Sequence, residues 1–253
     1  MQISISNAIG GGGGAQGSGG GSSFASTNSF TFDGNNDYVD CGNPTGLQIT
    51  GALTISVWVK IKSTSPTQVC ILSKDDVTNR SYQLFGRRAA DGFPAFAIFS
   101  SNTSYLVSGT TDLRDNQWHH IVSVFTPSTS MKIYVDDVLE ATNTTSIPSS
   151  IDNDLASFEI GRFGFGNYEM SGNIDEVAIW NSELSASDVT SIYNGGVPND
   201  ISSFNPISWW RMGEEANYTG RNWDLIDQGS GGNNGFSDTL PAPPAQPSTD
   251  VPS

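Results

Sequence analysis

The sequence predicts an all-β chain, a two-sheet antiparallel sandwich with one short helix and extended termini. Three observations carry that prediction. Short apolar and aromatic runs follow one another, separated by clusters of Gly, Asn, Asp and Ser, as strands joined by turns require. One run, residues 53–62, alternates cleanly: Ile55, Val57, Val59 and Ile61 fall on one side, and Thr54, Ser56, Trp58, Lys60 and Lys62 on the other, the mark of a half-buried strand. Charged residues make up 15% of the chain and glycine numbers 28, which suits a turn-rich β protein better than a helical bundle. A length of 253 residues is within reach of one large sandwich.

In chain order, residues 1–24 form a glycine-rich arm, a short QISIS head followed by Gly and Ser. Such a run is flexible coil by composition. It has neither the strand and helix flanks nor the Lys-Ser/Thr ending of a phosphate-cradling loop. No basic region with a following apolar stretch marks a secretory leader, and no run approaches the roughly 18 apolar residues of a membrane span. Residues 25–236 are expected to form the sandwich, with strands at 53–62, 82–86, 96–100, 105–109, 120–125, 132–136, 158–161 and 173–180. A helix interrupts them: Ser185 and Asp188 make a capping box, Val189 and Ile192 share a face, and Gly195 supplies the stop. The run ISWWRMGEE opens a last strand-like segment, 207–236, and a Pro-rich tail, 237–253, is expected to stay extended.

Asp and Glu total 26 against 11 Lys and Arg, a formal net charge of −15. A surface of that sign repels nucleic acid and anionic membranes, which need a basic patch, so neither is an expected partner. It tolerates cations, although acidity also serves solubility alone. Cys41 and Cys70 each sit in a strand-like run, where a free thiol packs as a small hydrophobe; buried free thiols are the expectation, and a pairing stays open. His119 and His120 are the two histidines, and neighbours on a strand point apart, so they read as structural rather than catalytic. Asp33, Asn35 and Asp37 have calcium-loop spacing, but no Gly stands sixth and Pro44 stands twelfth, which excludes an EF-hand and leaves local turns.

The segments FDGNNDYVDCG (32–42), LTISVWVK (53–60), NQWHHIVSVF (116–125), MKIYVDDV (131–138), EIGR (159–162) and GNIDEVAIWNSELSASDVTSIY (172–193) together resemble the laminin G-like branch of the concanavalin A-like lectin/glucanase superfamily. The order of the six segments is the family's. The resemblance implies a jelly-roll sandwich, and it carries one departure. A segment like WWRMGEE normally opens such a domain, whereas here it stands at 209–215, as a displaced opening strand that completes either its own sandwich or a neighbour's sheet.

The superfamily's enzymes use paired glutamates on one strand, and no such motif occurs here, so no catalytic residue is expected. A structural calcium is implied at the sandwich edge, with Asp175, Gly34 and Glu214 as its ligands. Trp58, Tyr134 and Trp180 are candidates to stack on sugars, set against a packing role for each. The rim loops 75–80, 100–104 and 163–169 are a further place for a ligand. Similar domains occur in structural proteins of bacterial viruses. That likeness implies a non-enzymatic virion protein, a bacteriophage capsid decoration or a tail or fibre component. Its arm would pack into a homo- or hetero-oligomeric assembly with other virion proteins, and its sandwich would face host glycans. The alternative is a cellular carbohydrate-binding or adhesion module, exported by a non-classical route to the cell surface or beyond.

Overall fold

The computed structural model describes residues 24–164 and 168–253. The expected arm, 1–24, lies outside the described residues except for Phe24. The strands are β1 (Phe30–Asp33), β2 (Val39–Asp40), β3 (Leu53–Ile61), β4 (Val69–Asp75), β5 (Arg80–Arg87), β6 (Ala95–Ser100), β7 (Thr103–Ser108) and β8 (Trp118–Thr126). They continue as β9 (Ser130–Val135), β10 (Val138–Asn143), β11 (Glu159–Ile160) and β12 (Ser171–Trp180). The helix α1 (Ala186–Tyr193) separates these from β13 (Ser208–Trp210), β14 (Ala216–Tyr218), β15 (Trp223–Leu225) and β16 (Gly235–Ser237). All pairings are antiparallel.

Two sheets stack face to face. One has the order β1-β12-β3-β8-β9-β10, with β13 also pairing β12; the other runs β14-β15-β16-β2-β11-β4-β5-β6-β7. The core between them follows the alternation: Ile55, Val57, Val59 and Ile61 of β3 meet Leu72, Tyr82, Leu84, Phe96 and Ile98 from the opposite sheet, all fully buried. Tyr82 keeps its hydroxyl satisfied there by donating to the Leu47 carbonyl at 2.9 Å. Cys41 and Cys70 are both buried and free.

The half-buried expectation for β3 needs correcting. Thr54, Ser56 and Trp58, on its outward side, are buried as well. The cause is α1 and the turn segments after it. Val189, Ile192 and Ile201 lie over Val122, Val124, Tyr134, Ala178 and Trp180, forming a second apolar layer on the outer face of that sheet. The helix starts where expected: Ser185 caps it and Asp188 closes the box. Its left-handed C-cap is Asn194 (φ 50°), with Gly195 also at positive φ just beyond.

The C-terminal region belongs to the sandwich. β13 adds to the edge of β12 in the same chain, while β14–β16 join the other sheet through β2. The Pro-rich tail is not a separate extension: Ser29 and Ser248 exchange backbone hydrogen bonds of 2.9 and 2.8 Å. Asp250 reaches Lys60 at 2.8 Å and accepts from the Trp118 indole at 2.9 Å. Composition favours an extended chain here, and unpaired polar groups along β1 give that chain something to bind. Among the described residues no helix is long and apolar enough to cross a membrane.

Candidate functional site

The expected metal ligands converge only in part. Asp175 sits on β12 opposite Trp58, but between Asp175 and Ala178 the register with β3 slips, three steps on β12 facing two on β3. This is a β-bulge, and Glu176 stands at its turning point with φ 48°. The bulge breaks the alternation that would send adjacent residues to opposite faces. Asp175 and Glu176 therefore lie together, and Glu214, from the loop after β13, completes the group. Carboxylate oxygens of the three residues all fall within 4.8 Å of one another. Gly34 is elsewhere: it packs against Ser171, four residues along β12, or about 13 Å at ~3.3 Å per residue. Its expected place is taken by Glu176.

This cluster is sealed rather than open. Ser26 donates its hydroxyl to Asp175 at 2.6 Å, the Asn28 amide donates to Glu214 at 2.9 Å, and the Trp209 indole donates to Glu176 at 2.6 Å. Arg211 Nε donates to Glu176 at 3.2 Å and lies 3.9 Å from Glu214 through its other nitrogen. Two of the three carboxylates, Glu176 and Glu214, thus share one guanidinium, and Asp175 has no cation against it among the described residues. Burial, with the Glu176 carboxylate beside it, pushes Asp175 well above the usual carboxylate range. Burial also raises Glu176, to about 7, despite the opposing pull of Arg211 and Trp209. Glu214 Oε2 is buried and accepts no hydrogen bond among the described residues. An unpartnered oxygen in an all-oxygen donor set, with two negative charges in formal excess over Arg211, suits a hard metal ion.

Trp58, Tyr134 and Trp180 are packing residues. Trp58 packs in a triangle with His120 and Tyr193, its ring centroid 4.6 and 5.8 Å from theirs and theirs 5.9 Å apart. Tyr134 and Trp180 sit in the layer beneath α1, and Trp180 spends its indole N–H on the Phe204 carbonyl at 2.9 Å. No sugar ring can reach those faces while the helix is in place.

The two histidines diverge as expected. His120 is buried, 2.7 Å from the Ser56 hydroxyl, whereas His119 contacts Asp136 at 2.7 Å and Asp115 at 3.3 Å. Burial pulls His119 down, but the hydrogen bond to Asp136 and the charges of Asp136 and Asp115 outweigh it and raise the pKa. The pair then stabilises the fold below the unfolded value of about 6.5, and the contribution is lost as pH rises through the higher folded value. Urea melts of His119→Gln across pH 5.5–8.5 are expected to lose this slope. An unchanged slope would assign it to other groups.

The outer face of the other sheet is a different surface. Among the described residues no helix covers it, and across β5–β7 it forms a groove of about 450 Å³. Leu106, with the nearly buried Phe85, Ala97 and Phe99, makes its apolar floor, the Phe99 ring lying under the Arg80 guanidinium, while Gln68, Arg80, Arg88 and Ser104 supply polar groups. Phe163 packs with Phe85, Cys70 and Ala95 in a small buried cluster beside the groove. Arg80 and Ser104 fall within the ranges 75–80 and 100–104 expected as rim loops, but both are strand residues, Arg80 opening β5 and Ser104 in β7; the third range, 163–169, is described only in part. Strand alternation explains the rest, since Gln83, Phe85, Ala97 and Phe99 are the outward partners of core residues Tyr82, Leu84, Phe96 and Ile98.

The stacked sheets, the helix closing one outer face and the groove on the other define a lectin-like sandwich. The chain belongs to the concanavalin A-like lectin/glucanases superfamily, whose laminin G-type model matches residues 33–190. No curated protein sequence matches it. Among solved structures it is similar to a proposed carbohydrate-binding protein from Bacteroides ovatus, at 17% identity and TM-score 0.63 over 85% of this chain and 58% of that one. It is similar to the receptor-binding domain of botulinum neurotoxin C/D mosaic serotype, at 16% identity and TM-score 0.55, over 82% and 55%. A third likeness is to the CBM40 module of the Ruminococcus gnavus IT-sialidase, bound to α2,3-sialyllactose, at 12% identity and TM-score 0.50, over 65% and 95%. The chain therefore spans well under two thirds of the first two. None of these three is a virion protein, and the arm on which the virion reading depends lies outside the described residues.

Proposed function

We propose that the chain is a non-catalytic carbohydrate-binding module that takes a glycan in the groove across β5–β7. The observation that carries this is the asymmetry of the two outer faces. One is sealed by α1; the other stays open, with an apolar floor and hydrogen-bonding side chains at its edges. Its volume falls in the range of small-molecule sites, and this mix of surfaces suits a sugar, which has apolar ring faces and polar edges. The carbohydrate-binding proteins of similar fold support the reading. The acidic cluster does not supply a hydrolase: its carboxylates are enclosed by Ser26, Trp209 and Arg211 and do not line the groove.

In the same reading, Asp175, Glu176 and Glu214 hold a structural calcium. The ion would supply positive charge to the buried carboxylates and fasten residues 26–28 to the sandwich. An export route places such a module at the cell surface or outside the cell.

The test is an oligosaccharide array followed by calorimetry on the responding sugars. Ser104 is exposed, at the groove edge on β7, so Ser104→Trp places a large ring over the opening without entering the core. Binding is expected to fall at least about tenfold while the melting temperature stays unchanged, because occlusion removes several polar contacts at once. An array with no responding glycan, or binding that ignores Ser104→Trp, overturns the reading.

A further inference from the structure

The groove differs in charge from the rest of the chain. Acidic residues outnumber basic ones 26 to 11 overall, yet the residues lining the groove include Arg80 and Arg88 and neither Asp nor Glu. The grooves beside Thr45–Gly51 and around Ser202–Ser230 are lined by uncharged residues, and the one beside Gly164 is lined by Asp75, Asp76 and Glu159. Arg80 and Arg88 each have one carboxylate partner, Asp75 and Asp91, so the groove is locally neutral on a strongly anionic molecule, which is where an anionic ligand meets least repulsion.

Arg80 is held for recognition. Its guanidinium lies over the Phe99 ring, 3.9 Å from ring centre to Cζ. Its Nε donates to Oδ2 of the buried Asp75 carboxylate at 2.8 Å, Gln83 donates to that same oxygen, and the Val77 amide donates to Oδ1. Those contacts use one edge and one face of the guanidinium. Its two Nη groups donate no hydrogen bond among the described residues, and the side chain remains about one third exposed. A guanidinium fixed in this way, with its fork end free, matches a planar carboxylate. Arg88 stands across the same groove and has only a loose 3.6 Å contact with Asp91. The polar side chains of Gln68 and Ser104 are placed for sugar hydroxyls.

We propose that the groove selects acidic glycans, with Arg80 receiving a sugar carboxylate and Arg88 adding attraction from the opposite side. This rests on the groove being the glycan site and names the class of glycan it takes. The probes are a uronic-acid oligosaccharide, its methyl ester, and a sulfated oligosaccharide of equal length, titrated calorimetrically into the whole chain. The free acid is expected to bind at least about tenfold more tightly than the ester, since a hydrogen bond to a charged group outweighs one to a neutral group. That preference is expected to shrink between 50 mM and 500 mM salt, by an amount set by screening of the half-buried Arg88.

Arg88→Gln should reduce the preference in part and lessen its salt dependence, and Arg80→Lys should remove most of it by losing the fork while keeping the charge. Replacing Arg80 by a neutral residue would strand the buried Asp75, so Arg80→Lys is the usable variant, checked by its melting temperature. Arg221→Gln, exposed and outside the groove, should leave every affinity unchanged. Equal binding of acid and ester, or binding of the sulfated probe alone, overturns the carboxylate preference. If that binding is still blocked by Ser104→Trp, the groove remains the glycan site. Acid binding that survives both Arg88→Gln and Ser104→Trp overturns the placement itself.

Discussion

Saturating calcium is expected to raise the melting temperature of this protein by about 5–10 °C. The arithmetic is mass action: a ligand at a hundred times its dissociation constant stabilises the folded state by about 2.7 kcal/mol. Each kcal/mol shifts a domain of this size by roughly 2–4 °C. Calcium is favoured over magnesium because Asp175, Glu176 and Glu214 come from a bulged strand and a loop, giving irregular oxygen geometry that a larger ion tolerates. Magnesium should therefore give a smaller shift. Asp175→Asn should abolish the calcium response while leaving the metal-free protein as stable or slightly more so, since it removes a buried charge. Scanning calorimetry in EDTA, calcium and magnesium makes the comparison. A calcium shift that persists in Asp175→Asn would put the ion elsewhere, and no shift with either ion would leave the cluster to Arg211 and protons.

The second large effect lies in the C-terminal region. Trp210→Ala is expected to cost about 3–5 kcal/mol, the range for deleting a buried aromatic side chain. Trp210 is fully buried, stacks on Phe158 at 5.5 Å between centroids, and donates its indole N–H to the Asn233 carbonyl at 2.9 Å. A chain ending at residue 206 should lose cooperative unfolding altogether. Without β13–β16, the Val177–Ile179 stretch of the β12 edge is bare and Phe30 loses its edge-on contact with Trp223, at 5.1 Å. Guanidinium titration followed by tryptophan fluorescence distinguishes these outcomes. A sharp transition in the shortened chain would mean that the segment decorates a sandwich already complete without it.

Much of this architecture was legible in the residues. The alternation of 53–62 identifies the core side of β3, and Ser185 with Asp188 marks the helix start. What alternation cannot report is what lies over the other side of a strand. Thr54, Ser56 and Trp58 look solvent-facing until α1, more than a hundred residues later, is packed onto them. The same blindness made Trp58, Tyr134 and Trp180 look like sugar platforms. The metal cluster was half legible. Asp175 and Glu214 could be aligned with a family pattern, but Glu176 could not, because period-two reasoning sends it to the opposite face and only the bulge returns it. The groove was least legible. Its floor alternates with core residues on three ordinary strands, and the fork of Arg80 takes its meaning from Asp75 and Phe99, which the sequence alone cannot place beneath it.

The Ser29–Ser248 bridge has a consequence for how the domain can be connected to other chains. Residues 24–28 lie against Asp175, Trp209 and Glu214, and the next residue, Ser29, pairs with Ser248, so the chain enters and leaves the domain in one region. Asp250, bound to Lys60 and Trp118, holds that exit on the outer side of the β3–β8 sheet. The domain can therefore be spliced into a surface loop of a host protein, or strung between modules, without prying the host apart. In either arrangement the groove on the opposite sheet points away from the attachment, like a palm turned outward from the wrist.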